Sequence, residues 1–185
     1  ELNRGIKEIA IQDWKTYLRW SLINATAGKL SDDFIHQTFE FYGKTLYGIP
    51  SMRPRWKKVL NTIDEDLGDV LGQLYIKKYF TEDSKKKINA MVDNIIIAYR
   101  ARIATRDWMS EETKKQANQK LDKLVRKMAY PDKWKDYSTL DIKRDSYVQN
   151  VIRADYFAYN EMINRIGKPV DRNYWFITAP TINAF

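Results

Sequence analysis

Residues Ser51 to Phe80, SMRPRWKKVLNTIDEDLGDVLGQLYIKKYF, set the fold class. Trp56, Val59, Leu60, Ile63, Leu67, Val70, Leu71 and Leu74 recur at three- and four-residue steps, the period of one helix face. Ser51 precedes the run, and Pro54 falls in its first turn, where a missing N–H costs nothing. A helix to about Phe80 is therefore expected. Gly68 and Gly72 weaken it locally; such residues either admit a close neighbour or mark a kink.

The same period recurs on both sides of this run. Upstream, Trp14, Tyr17, Leu18, Leu22 and Ala25 give a helix from Asp13 to about Ala27, closed by Gly28. Ser31 then caps a second helix, with Asp32 and Asp33 at its positive dipole end and Phe34, Ile35, Thr38, Phe39 and Tyr42 as its stripe. Downstream, a helix from about Glu82 turns Ile88, Met91, Val92, Ile95, Ile96 and Tyr99 inward. Another starts at the cap Ser110, carries Glu111 and Glu112 in its first turn, and runs to Met128 before Pro131. Residues 131–141 have no period and read as a loop. A last helix spans about Arg144 to Ile166, and Gly167 and Pro169 stop it. The chain thus reads as mainly α, a lobe of about six helices over residues 1–166.

Composition agrees with this. The 185 residues are 44% hydrophobic and 30% charged, with only 7 glycines and 5 prolines to interrupt helices. The longest apolar run, Ile95 to Ala98, is far too short to span a bilayer, so no membrane contact is expected from it. Cysteine is absent, which excludes disulfides and thiolate metal sites within the sequence. A formal charge of +8, from 32 basic and 24 acidic residues, invites an anionic partner. The positive charge is scattered, however. Lys85-Lys86-Lys87 follows Glu82-Asp83, and Lys114-Lys115 follows Glu111-Glu112, the pattern of mixed solvated faces and not of a nucleic-acid stripe.

Beyond the helices, residues 167–185 change character. Ile177, Thr178, Thr181, Ile182 and Phe185 favour an extended strand, and Pro180 suits a sheet edge because it withholds a backbone donor. Asn183 offers two amide donors and an acceptor, and the methyl side chain of Ala184 leaves its backbone approachable. Together they are suited to holding an extended peptide.

Trp175, Thr178 and Pro180-Thr181-Ile182-Asn183-Ala184-Phe185 resemble the segment that precedes the active site in the neprilysin and endothelin-converting-enzyme family of zinc metallopeptidases. Arg53-Pro54-Arg55-Trp56, Gly72-Gln73-Leu74-Tyr75, Asp107-Trp108-Met109 and Tyr130-Pro131-Asp132 resemble the family in the same order, so the likeness covers about Asp13 to Phe185. It implies that Asn183 and Ala184 bind peptide substrate by β-augmentation. It further implies that residues 167–185 are a linker and first edge strand of a catalytic lobe otherwise missing here. The family's animal ectodomains are disulfide-bonded, so the lack of cysteine points to a bacterial member; the resemblance itself implies an extracytoplasmic enzyme, whose export signal would lie upstream of Glu1.

Catalytic machinery is not expected within the sequence. His36 is the single histidine, on the second helix, and no His-Glu-x-x-His occurs; the resemblance places the zinc ligands and the catalytic Glu beyond Phe185. Asp64-Glu65-Asp66 with Asp69 lacks the ligand spacing of a calcium loop and reads as a solvated helix face. Asn24-Ala25-Thr26 matches a glycosylation acceptor but falls inside a helix. No Gly-x-Ser-x-Gly elbow or Gly-x-Gly-x-x-Gly loop is present. The expected function is a segment of a zinc-dependent metalloendopeptidase that covers the cleft and aligns short peptides, inactive alone. Two other readings stand beside it: a basic helical module for an anionic partner, and a non-catalytic interaction domain.

Overall fold

The computed structural model describes residues 2–183, and it is mainly helical: α1 (Leu2–Glu8), α2 (Ile11–Thr26), α3 (Asp32–Thr38), α4 (Arg55–Tyr79), α5 (Glu82–Ala104), α6 (Glu111–Asp122) and α7 (Tyr147–Ile163). Two compact units are present. The first comprises residues 1–60 and 140–160, the second residues 61–139 and 161–185.

In the first unit, α2 ends in a 3-10 turn, Ala27–Lys29, with Ala27 buried. The expected second helix forms but does not keep its period. After Thr38 it widens into a π-helix, Phe39–Leu46, in which Thr45 Oγ1 donates to the Glu40 carbonyl at 2.8 Å. Gly43 makes room for the Phe39 ring, since a Cβ at that position would come within 2.6 Å of it. Tyr42 Oη donates to Asn24 Oδ1 at 3.3 Å, tying this element to α2 and giving the sequon asparagine a structural partner. Helix α7 starts at Tyr147, later than expected, because residues 143–146 are held outside it. Asn150 pairs with the Lys143 backbone through both its amide atoms, and Arg153 grips both oxygens of Asp145, at 3.0 and 2.5 Å. Those Arg153 bonds hold the Asp145 carboxyl well below the usual carboxylate range. Val151 and Ala154 on α7 are buried.

In the second unit, α5 and α6 begin at side-chain caps. Thr81 Oγ1 accepts from Ser84 N at 3.1 Å, and Ser110 Oγ accepts from Thr113 N at 3.2 Å, the latter at the cap read from the sequence. Arg100 on α5 joins the pair by donating to Asn118 at 3.2 Å and Asp122 at 2.6 Å. The helix expected to reach Met128 ends at Asp122 instead. Tertiary contacts claim the residues beyond it: Arg126 pairs with Asp93, and Lys127 Nζ donates to the Tyr174 carbonyl at 2.7 Å. Leu124 and Val125, within the stretch expected to be helical, are exposed.

Most apolar stripes are uncovered within these residues. On α4, Trp56 is 63% exposed and Leu74 65%, whereas the buried positions are Thr62, Gly68 and Gly72. Met91, Ile95, Ile97 and Tyr99 of α5 are exposed, as are Tyr156 and Tyr159 of α7. Accessible surface amounts to 15217 Å². A self-contained protein of this mass exposes about 9,300 Å², and two separate bodies of half the mass about 11,000 Å². Apolar faces on this scale mark interaction surfaces.

Candidate functional site

The segment after α7 is pinned onto α4 by one helical face. Asp64, Gly68 and Gly72 are spaced i, i+4, i+8 and share that face. Thr178 Oγ1 donates to Asp64 Oδ1 at 2.9 Å. At Gly68 a Cβ would overlap Thr178 Cγ2 and stand 3.1 Å from Thr178 Cβ; at Gly72 it would stand 3.3 Å from both Ala179 Cβ and the Trp134 ring. Both meanings of the glycine pair are realised, because Leu67 just before Gly68 leaves helical geometry (φ −129°, ψ 31°) and kinks the helix beside the seat.

Asp69, also on α4, accepts the Lys135 backbone N–H at 3.2 Å, so the same stretch also positions the loop after α6. The acidic run is therefore not simply a solvated face: Asp64 and Asp69 are half-buried acceptors, and Glu65 alone of the first three is exposed. Within that loop Trp134 stacks on Tyr130, centroids 6.1 Å apart, and Lys85 Nζ lies 4.0 Å over the Tyr130 ring. Tyr137 is half-buried near Asp69 and Glu161. Burial first, then the Asp69 carboxylate, pushes its phenol up from 10.0 to about 12.

A raised phenol pKa leaves folding unaffected below the unfolded value and weakens it as pH climbs from 10.0 towards about 12, since only the unfolded state ionises there. Tyr137→Phe should remove that component. The stability advantage of the native protein over this variant is expected to shrink as pH rises through that window, measured by denaturant titration at stepped pH; a constant difference would refute it.

A cleft of about 460 Å³ adjoins the segment, lined by Lys85, Arg126, Lys127, Lys133, Asn173 and Trp175 among others. Three of its four cations direct their donors to protein: Lys85 to the Tyr130 carbonyl and Asp132, Arg126 to Asp93, and Lys127 to Tyr174. Most of the cleft's positive charge is thus already paired within the protein, which weighs against the reading as an anion-binding module.

The expected strand is not formed over the described residues. Thr181 N donates to the Thr178 carbonyl at 3.0 Å and their hydroxyls lie 2.9 Å apart, so Ala179 and Pro180 form a turn. A segment becomes a strand only when a second backbone completes its ladder, and no described residue does so. Thr181, Ile182 and Asn183 follow the turn and are exposed. Ala184, the other expected peptide-binding residue, lies outside the described residues.

His36 sits exposed on α3, and among the described residues no three His, Cys, Asp or Glu side chains come together as a metal site. With one imidazole and no thiolate, the donor set does not fit catalytic zinc. Glu111 and Glu112 bond Lys114 and Gln116 on their own helix, at 2.9 and 2.8 Å. Sequence reasoning missed Asp64, Gly68 and Thr178 as a unit; the two glycines interrupting an apolar stripe were the available signal.

Residues 1–131 match the N-terminal family profile described as Peptidase family M13. The chain belongs to peptidase family M13. This M13 chain is 28% identical to Membrane metallo-endopeptidase-like 1 of Mus musculus, over 97% of its own length and 25% of that protein. It is 29% identical to Endothelin-converting enzyme 1 of Homo sapiens, over 91% and 23% respectively. The fold agrees with the cryo-EM structure of the zinc metalloprotease Zmp1 of Mycobacterium tuberculosis in its open state, with TM-score 0.86 and 40% identity over 96% of this chain and 28% of that one. The M13 chain thus spans about a quarter of the length of the curated relatives it matches. No described helix is long and apolar enough to cross a membrane.

Proposed function

We propose that this chain is the cleft-covering helical lobe and substrate-aligning segment of an M13 zinc metalloendopeptidase acting on short peptides. Residues 1–166 form the lobe, and residues 167–185 lead into the first edge strand of the catalytic lobe. The observation that carries the reading is the seating of the terminal segment on α4, with Thr181, Ile182 and Asn183 exposed beyond it in a chain of this family. A substrate backbone laid along that stretch pairs with its main chain, and the Asn183 amide and the Ala184 main chain supply the fixed polar contacts. The zinc that activates water, and the general base, belong to parts of the enzyme outside these residues. The helical lobe narrows access to the cleft, so size and flexibility select the peptides that enter. The family relatives favour an extracytoplasmic setting.

Asn183→Ala in the full-length enzyme tests this reading. It should lower kcat/KM for a fluorogenic peptide by about tenfold or more, the cost of one lost transition-state contact, with zinc content and melting temperature retained. Loss of zinc or of folding instead would make Asn183 structural.

A further inference from the structure

We propose that Asp64, acting through Thr178, is a positioning residue that fixes the register at which Asn183 meets a peptide backbone; this rests on the reading of Asn183 as a substrate contact. A carboxylate only accepts hydrogen bonds, so the 2.9 Å contact to Asp64 Oδ1 requires Thr178 Oγ1 to donate. Thr178 has then used its proton, and the 2.9 Å contact with Thr181 Oγ1 is donated by Thr181. The proton order is therefore single: Thr181 hydroxyl to Thr178 hydroxyl to Asp64 carboxylate. Both ends of the turn are locked in rotation about χ1, and Thr181 stands two residues from Asn183.

Steric and polar restraints act at different points of the segment. Gly68 and Gly72 set how closely Thr178 and Ala179 approach α4, because neither position tolerates a Cβ without displacing them. The Asp64 bond sets where along the helix Thr178 sits. Lys127 holds the upstream end through the Tyr174 carbonyl at 2.7 Å, and the Arg165 guanidinium lies 3.9 Å over the Tyr174 ring. In this role Asp64 and Thr178 act on substrate only through Asn183. Their contribution is the placement of an exposed backbone that would otherwise sample several registers, and register errors in an extended pairing shift every side chain to the wrong face.

The test is a double-mutant cycle in the full-length enzyme, read as kcat/KM on an internally quenched peptide, with zinc content and melting temperature measured alongside. Thr178→Val keeps the shape and removes the hydroxyl, and Asp64→Ala removes the acceptor. Each should lower kcat/KM about tenfold, whereas Thr178→Ser and Asp64→Asn, which keep a donor and an acceptor, should stay near the native value. In the Asn183→Ala background Thr178→Val should cost little more, because the group being positioned is gone. If Asn183→Ala is harmful but Thr178→Val and Asp64→Ala are silent, the positioning role is overturned and the substrate contact stands. If Asn183→Ala is silent, the reading of the site fails and takes this proposal with it. Fully additive losses, or losses that track falling zinc content or melting temperature, would show a merely structural hydrogen bond and overturn the proposal. Should Thr178→Val not fold, Asp64→Ala against Asp64→Asn decides by the same criteria.

Discussion

Produced on their own, residues 1–185 are expected to bind a hydrophobic dye such as anilinonaphthalene sulfonate strongly and to self-associate. The surface sets the size of this effect. At 15217 Å² the chain exposes roughly 4,000 Å² more than even two separate compact bodies of its mass would show. Each 1,000 Å² of apolar surface left in water forgoes about 25 kcal/mol of gross driving force, whereas a domain's net stability is only about 5–15 kcal/mol. Helical hydrogen bonds do not close that gap, because their net contribution is small and the entropy of ordering the chain remains. The exposed residues form faces and not scattered points: Trp56, Leu60, Ile63, Val70 and Leu74 on α4, and Met91, Ile95 and Tyr99 on α5. Dye fluorescence and sedimentation velocity are the measurements. A monomeric, dye-silent protein with a sharp unfolding transition would refute the expectation.

Gly68→Ala is expected to destabilise the full-length enzyme, whereas Gly28→Ala is not. Helix propensity alone favours alanine over glycine by about 1 kcal/mol inside a helix, so it predicts a gain at Gly68. The contact there opposes it. A Cβ at Gly68 would overlap Thr178 Cγ2, and Thr178 is not a flexible tip that can swing aside: it is β-branched, and its hydroxyl is committed to Asp64 and Thr181. Overpacking of this kind costs about 1–3 kcal/mol and sometimes more, so the contact wins and the terminal segment is pushed off α4. Gly28 has nothing within 4 Å and no positive φ, so alanine there should be neutral or mildly stabilising. Thermal unfolding of the two variants decides it. A melting temperature unchanged or raised by Gly68→Ala would mean that the seat is looser than described.

The helices were legible because their signals are local. Ser110 caps α6 through its own hydroxyl, Gly167 follows α7 with φ +75°, and the 3.6-residue period located α4 and α5 to within a few residues. Misses occurred where distant groups competed with that local order. The helix expected to reach Met128 stops at Asp122 because Arg126 and Lys127 bond Asp93 and Tyr174. In the π-helix at Phe39–Leu46, Thr45 Oγ1 reaches a carbonyl five residues back, a spacing that an α-helical period does not anticipate. The strand expected around Ile177 to Phe185 needs a partner backbone, and propensity cannot supply one.

From the sequence alone came the helical class and the family likeness carried by Trp175 to Phe185. Only the tertiary structure decided which face of α4 is used. Periodicity identified the apolar stripe, yet the face covered within this chain is Asp64, Gly68 and Gly72, because small residues allow a backbone to come close enough for Thr178 to reach a carboxylate 114 residues away. The spacing of apolar residues tells which side of a helix avoids water. It does not tell which neighbour arrives, and that neighbour is what turned two helix-weakening glycines into a seat.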